Sequence, residues 1–348
     1  MTRQIRLRDR LLRRRRRHHR HRGAVPRLRR RTRWLVTGAL LLVLLLLAVV
    51  AVLVGRTPES PVTEAPETVS CTRWGLDGVR VTTRDPGRPA DRGLFGRDAF
   101  GPGAETTDRF GLDFEHAGVT SGYHVLAEGL DWSRPVGVVL HLHGDGAFEY
   151  DNPQYSLSCM AEVALRHNML LVVPRTPDTD GEATWWEHRD RNAAWFRALM
   201  EERVLVDYDV DRSRTWLTGY SGGAQFISQE LLADHVDLLP GGGAVMMAGG
   251  EAPERASAEP TRSQLRELRL RWDVGTADDG DDPRARFDAL SAARAGHAWY
   301  ERQGYDHARI RYREGVDHFQ LPYARILDRV LTAAEADTDE EPDEVGAG

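Results

Sequence analysis

Between Gly122 and Leu331 the chain alternates apolar runs of strand length with amphipathic stretches of helix length. Residues 122–127 (GYHVLA) read as an early edge strand. Gly137–Leu142 (GVVLHL) and Met169–Val173 (MLLVV) are continuous apolar runs of the kind buried on both faces of a parallel sheet. Thr215–Thr218, Ala244–Ala248, Leu268–Val274 and Ala308–Arg313 supply four further strands. Helical periodicity falls on Tyr155–Asn168, Asn192–Val204, Ala224–Ala233, Arg284–Gln303 and Leu321–Ala334. Strand–helix alternation of this kind predicts an α/β fold, with a mostly parallel sheet covered by helices on both faces.

The ends of the chain read differently. Residues 1–33 hold sixteen arginines against one acid, a net +15. The whole chain is −6, so residues 34–348 carry −21. Trp34–Val54 is a 21-residue run without charge, and at about 1.5 Å rise per residue it is long enough for a hydrocarbon core. The expected order is an Arg-rich cytoplasmic segment (1–33), a single transmembrane helix (34–54), a linker or stalk (55–70), the α/β domain (71–334) and an acidic disordered tail (335–348). Arginines on the N-terminal flank predict a cytoplasmic N-terminus and an extracellular domain. A cleaved signal peptide is the rival reading, but no small-x-small cleavage site follows the apolar run. Beside a spanning helix the arginines serve orientation, and no nucleic-acid partner is expected.

Cys71 and Cys159 both fall in the segment expected outside, where a disulfide between them is compatible with the compartment. Two free thiols are the other reading. No P-loop, H-E-x-x-H, C-x-x-C or dinucleotide glycine fingerprint occurs, so no cofactor or metal is expected.

Gly219-Tyr220-Ser221-Gly222-Gly223 lies between a strand and a helix. A G-x-S-x-G turn in that setting lifts a serine hydroxyl clear of the sheet. A hydroxyl is a poor nucleophile until a base takes its proton and an acid orients the base. Asp278 follows the strand Leu268–Val274 and His318 follows Ala308–Arg313, which gives the order serine, acid, histidine. Asp279 competes with Asp278 for the acid's place. Oxyanion donors are expected from the Gly222 amide and, in the loop His143-Gly144-Asp145-Gly146, from the Asp145 amide, with Gly144 as the alternative. The Asp145 carboxylate is expected to point away from that hole or to brace the loop. Trp185 and Trp186, after the Met169–Val173 strand, are candidate substrate-binding residues. Two adjacent tryptophans in a polar loop bury one ring and leave the other available to an apolar or aromatic substrate group, and two core anchors are the other reading. His141 is expected to fill the core, and His297 to lie on a helix.

With HLHGDG at 141–146, GYSGG at 219–223, GTAD at 275–278 and GVDHF at 315–319, the chain resembles the α/β-hydrolase superfamily. Within it the resemblance is to exported esterases of the polyhydroxybutyrate depolymerase and feruloyl esterase branch. It implies Ser221 as nucleophile, Asp278 as acid and His318 as base of a serine esterase acting on an ester-containing small molecule or envelope substrate. An acyltransferase using the same groups, or a non-catalytic binding domain, are the competing expectations. The short connection between the strands at 244–248 and 268–274 implies an open site.

Overall fold

The computed structural model describes residues 67–84, 107–178 and 181–339. By its contacts the chain divides into Met1–Glu64 and Ala65–Gly348, and all described residues belong to the second unit. The Arg-rich segment, the apolar run 34–54 and residues 340–348 lie outside the described residues. Among the described residues no helix is long and apolar enough to cross a membrane.

Ten strands are described: β1 (Thr68–Ser70), β2 (Arg80–Thr82), β3 (Arg109–His116), β4 (Val119–Leu126), β5 (Val136–Leu142), β6 (Met169–Pro174), β7 (Val210–Tyr220), β8 (Gly243–Met247), β9 (Arg269–Gly275) and β10 (His307–Arg313). β1 and β2 form a small antiparallel pair. The other eight form one sheet in the order β10-β9-β8-β7-β5-β6-β4-β3. β5 to β10 run parallel, while β4 is antiparallel to both β6 and β3. Every residue of β5, β6 and β8 is buried, as continuous apolar runs in a covered parallel sheet require.

After a one-turn helix, Phe148–Asp151, the main helices are α1 (Ser156–Arg166), α2 (Arg189–Leu199, running on through Met200–Val204 and Leu205–Asp207), α3 (Gly222–Phe226, running on through Ile227–Leu231 and Leu232–Asp234), α4 (Arg262–Glu267), α5 (Ala289–Arg302) and α6 (Tyr323–Asp339). α4 starts on a capping box, Thr261 with Gln264, and α5 on the Asp288 side chain, which accepts the Ser291 N–H.

Several boundaries differ from the sequence reading. α5 begins at Ala289 and not at Arg284, because Asp288 caps it. α6 runs five residues into the stretch read as an acidic tail, and Glu335 there reaches the His167 ring at 2.9 Å. The last residues of the expected stalk, Thr68–Ser70, are strand β1. β3, with Asp113 and Glu115 on an edge strand, had no apolar run to announce it.

Cys71 and Cys159 are joined by a disulfide, with Cα atoms 5.7 Å apart and both side chains fully buried. It ties the segment entering the domain to α1.

The sheet geometry decides where chemistry can collect. From β5 the chain passes through α1 to β6 on one side, then returns through α2 to β7 on the other. The C-terminal ends of β5 and β7 therefore flank a topological switch point. Register pairs Leu142 with Gly219, so the loops after β5 and β7 leave the sheet side by side.

Candidate active site

Ser221 sits at the turn from β7 into α3 with φ 51° and ψ −114°. A non-glycine residue in that conformation is strained, and the strain is held by the packing on either side. Its backbone N–H donates to the Met247 carbonyl at 2.9 Å. A Cβ on Gly219 would lie 2.5 Å from the Gly223 backbone, and one on Gly223 would lie 2.3 Å from the Leu142 carbonyl oxygen. The two glycines let strand, turn and helix close this tightly.

His318 Nε2 is 3.0 Å from Ser221 Oγ, and its Nδ1 is 2.9 and 3.0 Å from the two carboxylate oxygens of Asp278. A carboxylate only accepts, so Nδ1 carries the proton and Nε2 is free to accept from the serine hydroxyl. Asp278 and His318 are buried. Asp279 is exposed and accepts the Asp281 N–H at 3.3 Å, so it has no part in this chain of bonds. The His318 loop is fixed from two sides. Tyr220 donates its hydroxyl to the His318 carbonyl at 3.0 Å, and Asp317 accepts the Phe319 N–H at 3.0 Å.

The loop after β5 is braced from beneath. His143 is fully buried, and burial lowers its pKa to about 4, so it is neutral near pH 7. Its Nε2 accepts the Thr176 N–H at 3.0 Å, which leaves Nδ1–H to donate to the Gly144 carbonyl at 2.7 Å. The buried Glu149 carboxyl accepts the Gly144 N–H at 3.2 Å, and burial raises its pKa. Trp185 donates its indole N–H to the His143 carbonyl at 3.2 Å. His143 and Tyr220 lie inside the HLHGDG and GYSGG segments, which gave neither of them a role, and Glu149 lies in no motif. The backbone amides of Asp145 and Gly222 make no hydrogen bond to another described group, and both belong to the loops flanking Ser221.

The two tryptophans part company. Trp185 is fully buried and stacks on Phe226 with ring centroids 5.2 Å apart, so it is a core residue and not a substrate contact. Trp186 is 46% exposed and lines the cavity beside Ser221. Its indole N–H donates to the Asp145 carboxylate at 3.1 and 3.2 Å. Of the two expectations for that carboxylate, pointing away or bracing the loop, its bond to Trp186 fits the second. The carboxylate lies against Gly222, where only glycine leaves it room, and burial raises its pKa. His141 fills the core with Nδ1 2.9 Å from Thr218 Oγ1, and burial lowers its pKa to about 3. His297 lies in α5, edge-on to Trp272.

Asp178, Glu187 and His188 bring possible ligand atoms within 4.8 Å of one another. The Asp178 carboxylate already meets His188 at 3.0 Å and the Arg191 guanidinium at 3.2 Å. A cation there would face that guanidinium, so the cluster reads as a buried Asp178 carboxylate held by partners that are themselves open to solvent.

The sheet order with its antiparallel β4, and the serine turn after β7, make this the α/β-hydrolase fold. No family model matches the chain, and no curated protein matches it. Solved structures with a similar fold include three hydrolases. One is poly(aspartic acid) hydrolase-1 from Sphingomonas sp. KT-1, 13% identical over 66% of this chain and 99% of that one, with a TM-score of 0.48. A second is a carboxylesterase from Bacillus cereus, 18% identical over 62% and 94%, with a TM-score of 0.46. The third is the feruloyl esterase module from Clostridium thermocellum, 13% identical over 68% and 91%, with a TM-score of 0.47. At these identities their substrates say nothing of this chain.

Proposed function

We propose that this chain is a serine esterase hydrolysing carboxylic esters, with Ser221 as nucleophile, His318 as base and Asp278 as the orienting acid. The observation that carries the reading is the hydrogen-bonded line Ser221–His318–Asp278, with 3.0 Å from hydroxyl to imidazole and 2.9 Å from imidazole to carboxylate. Ser221 Oγ attacks the ester carbonyl carbon while His318 Nε2 takes its proton. The carbonyl oxygen gathers negative charge against the amides of Gly222 and Asp145. His318 then protonates the departing alkoxide, leaving an acyl group on Ser221. Water, deprotonated by His318, attacks that acyl group and frees the acid.

The sequence adds a location. Residues 34–54 span the membrane in this reading, with the N-terminus cytoplasmic and the catalytic domain outside. The disulfide Cys71–Cys159 suits an exported domain.

The test uses the full chain in detergent, beside Ser221→Ala, with short and medium chain p-nitrophenyl esters and a fluorophosphonate probe. Turnover and labelling in the wild type alone are expected. A folded wild type showing neither overturns the assignment.

A further inference from the structure

Beside Ser221 lies a cavity of about 410 Å³ whose walls include Asp145, Trp186, Arg189, Glu251, Glu254 and Phe287. Its charge is lopsided, with three carboxylates against one guanidinium. An acidic chain has acids in many places, but Glu251 is held in position. Gln225 and Gln229, one turn apart on α3, each direct a side-chain amide N–H at its Oε2, both at 3.4 Å. The Glu251 backbone N–H in turn donates to Gln225 Oε1 at 2.7 Å. Amides orient a carboxylate without neutralising it. Arg189 reaches Gln229 Oε1 at 3.4 Å and not a carboxylate, so it offsets one charge of the three at most. Asp145 has an indole N–H as its side-chain partner, and burial with Glu182 and Glu187 nearby raises its pKa.

Glu251 and Glu254 are exposed, and an alkyl chain lying against these carboxylates would offer them no hydrogen bond in place of the water it displaces. An anionic group would be repelled. A cationic group would meet the carboxylates and the aromatic side chains of Trp186 and Phe287 in the same wall, and aromatic rings attract an ammonium ion through their quadrupoles. We propose that the cavity beside Ser221 selects esters bearing an ammonium group, held by Glu251 and Glu254 against Trp186 and Phe287. The inference rests on the esterase reading.

The probes are two p-nitrophenyl esters of one shape. One is the ester of γ-trimethylammoniobutyrate, and in the other a tert-butyl carbon replaces the nitrogen. The full chain in detergent is assayed on both, with rates divided by the uncatalysed hydrolysis of each ester, and Ser221 labelling by a fluorophosphonate counts folded sites. The cationic ester is expected to have a kcat/KM about tenfold higher or more. That ratio should fall toward one in Glu251→Gln with Glu254→Gln. Equal or faster turnover of the neutral ester, with Ser221 labelled, overturns the inference and leaves the esterase reading standing. A preference that survives both substitutions overturns the assignment to these residues. If neither ester turns over and Ser221 is unlabelled, the esterase reading fails and takes this one with it.

Discussion

The carboxylate of Asp145 rests on the α-carbon of Gly222, so that a methyl group placed there would come within 2.0 Å of Asp145 Oδ1. The loop after β5 and the turn after β7 are thus fitted to each other through one missing side chain. Gly222→Ala should push the carboxylate off its Trp186 partner and shift the two amides proposed to meet the oxyanion. We expect kcat/KM on p-nitrophenyl acetate to fall about 10²-fold, the scale of losing one oxyanion donor. Asp145→Ala added to Gly222→Ala removes the obstruction and should restore part of the rate. A double-mutant cycle reads this directly, and strict additivity would show that the two residues do not compete for that space.

A second expectation separates neighbouring acids. Asp278→Asn should lower kcat about 10³- to 10⁴-fold, since an amide in place of the carboxylate lets His318 settle in the wrong tautomer. Asp279→Asn should stay within about threefold of wild type, because that side chain is exposed and bonded only within its own loop. Measured kcat values in the reverse order would give the acid's place to Asp279.

Acid should unfold this domain through its buried imidazoles. The pKa values of His141 and His143 lie at about 3 and about 4 in the fold, below the ordinary 6.5. Between pH 6.5 and about 4 the unfolded chain binds two protons that the fold does not. Their stabilising effect is therefore full above 6.5 and is lost as pH falls, by about 1.4 kcal/mol per pH unit for each. Glu149 works the other way: its raised pKa favours the fold below its ordinary 4.5 and penalises it as pH rises above that. Urea unfolding as a function of pH should show stability declining below pH 6.5, with a shallower slope in His141→Gln. An unchanged slope in that variant would assign the acid sensitivity to other groups.

How far the site could be read in advance depended on how local each feature was. β5, β6 and β8 announce themselves because a strand buried on both faces must be apolar throughout, and no tertiary knowledge is needed to see that. The candidate serine, acid and histidine loops follow β7, β9 and β10, which are less uniformly apolar. It was the G-x-S-x-G turn and the order of the three residues along the chain that marked them. Other features are set by contacts across the sheet. Trp185 and Trp186 are adjacent in an irregular segment with no period, and only packing against Phe226 and Asp145 decides which is core and which is wall. The Glu149 brace joins a one-turn helix to the loop before it, and nothing in the spacing marks it. Composition misled at the C-terminus, where acid-rich residues read as a tail although Glu335 anchors α6 to His167.

The disulfide should carry a measurable share of the stability. Cys71 and Cys159 are 88 residues apart in sequence, so linking them removes much of the unfolded chain's freedom. Chain-entropy scaling and the cost of deleting native bridges both give about 2–5 kcal/mol. The bond also fixes the segment after β1 beside α6, where Arg325 reaches the Asp77 carboxylate at 2.6 Å and Trp74 packs on Tyr323. Tyr323 in turn packs on Tyr220, whose hydroxyl holds the His318 loop. Cys71→Ser with Cys159→Ser should therefore lower Tm by several degrees, and it should reduce esterase activity before global unfolding begins. Activity and far-UV circular dichroism followed together over a temperature ramp test this. Coincident loss of both signals would confine the bridge to global stability and detach it from the His318 loop.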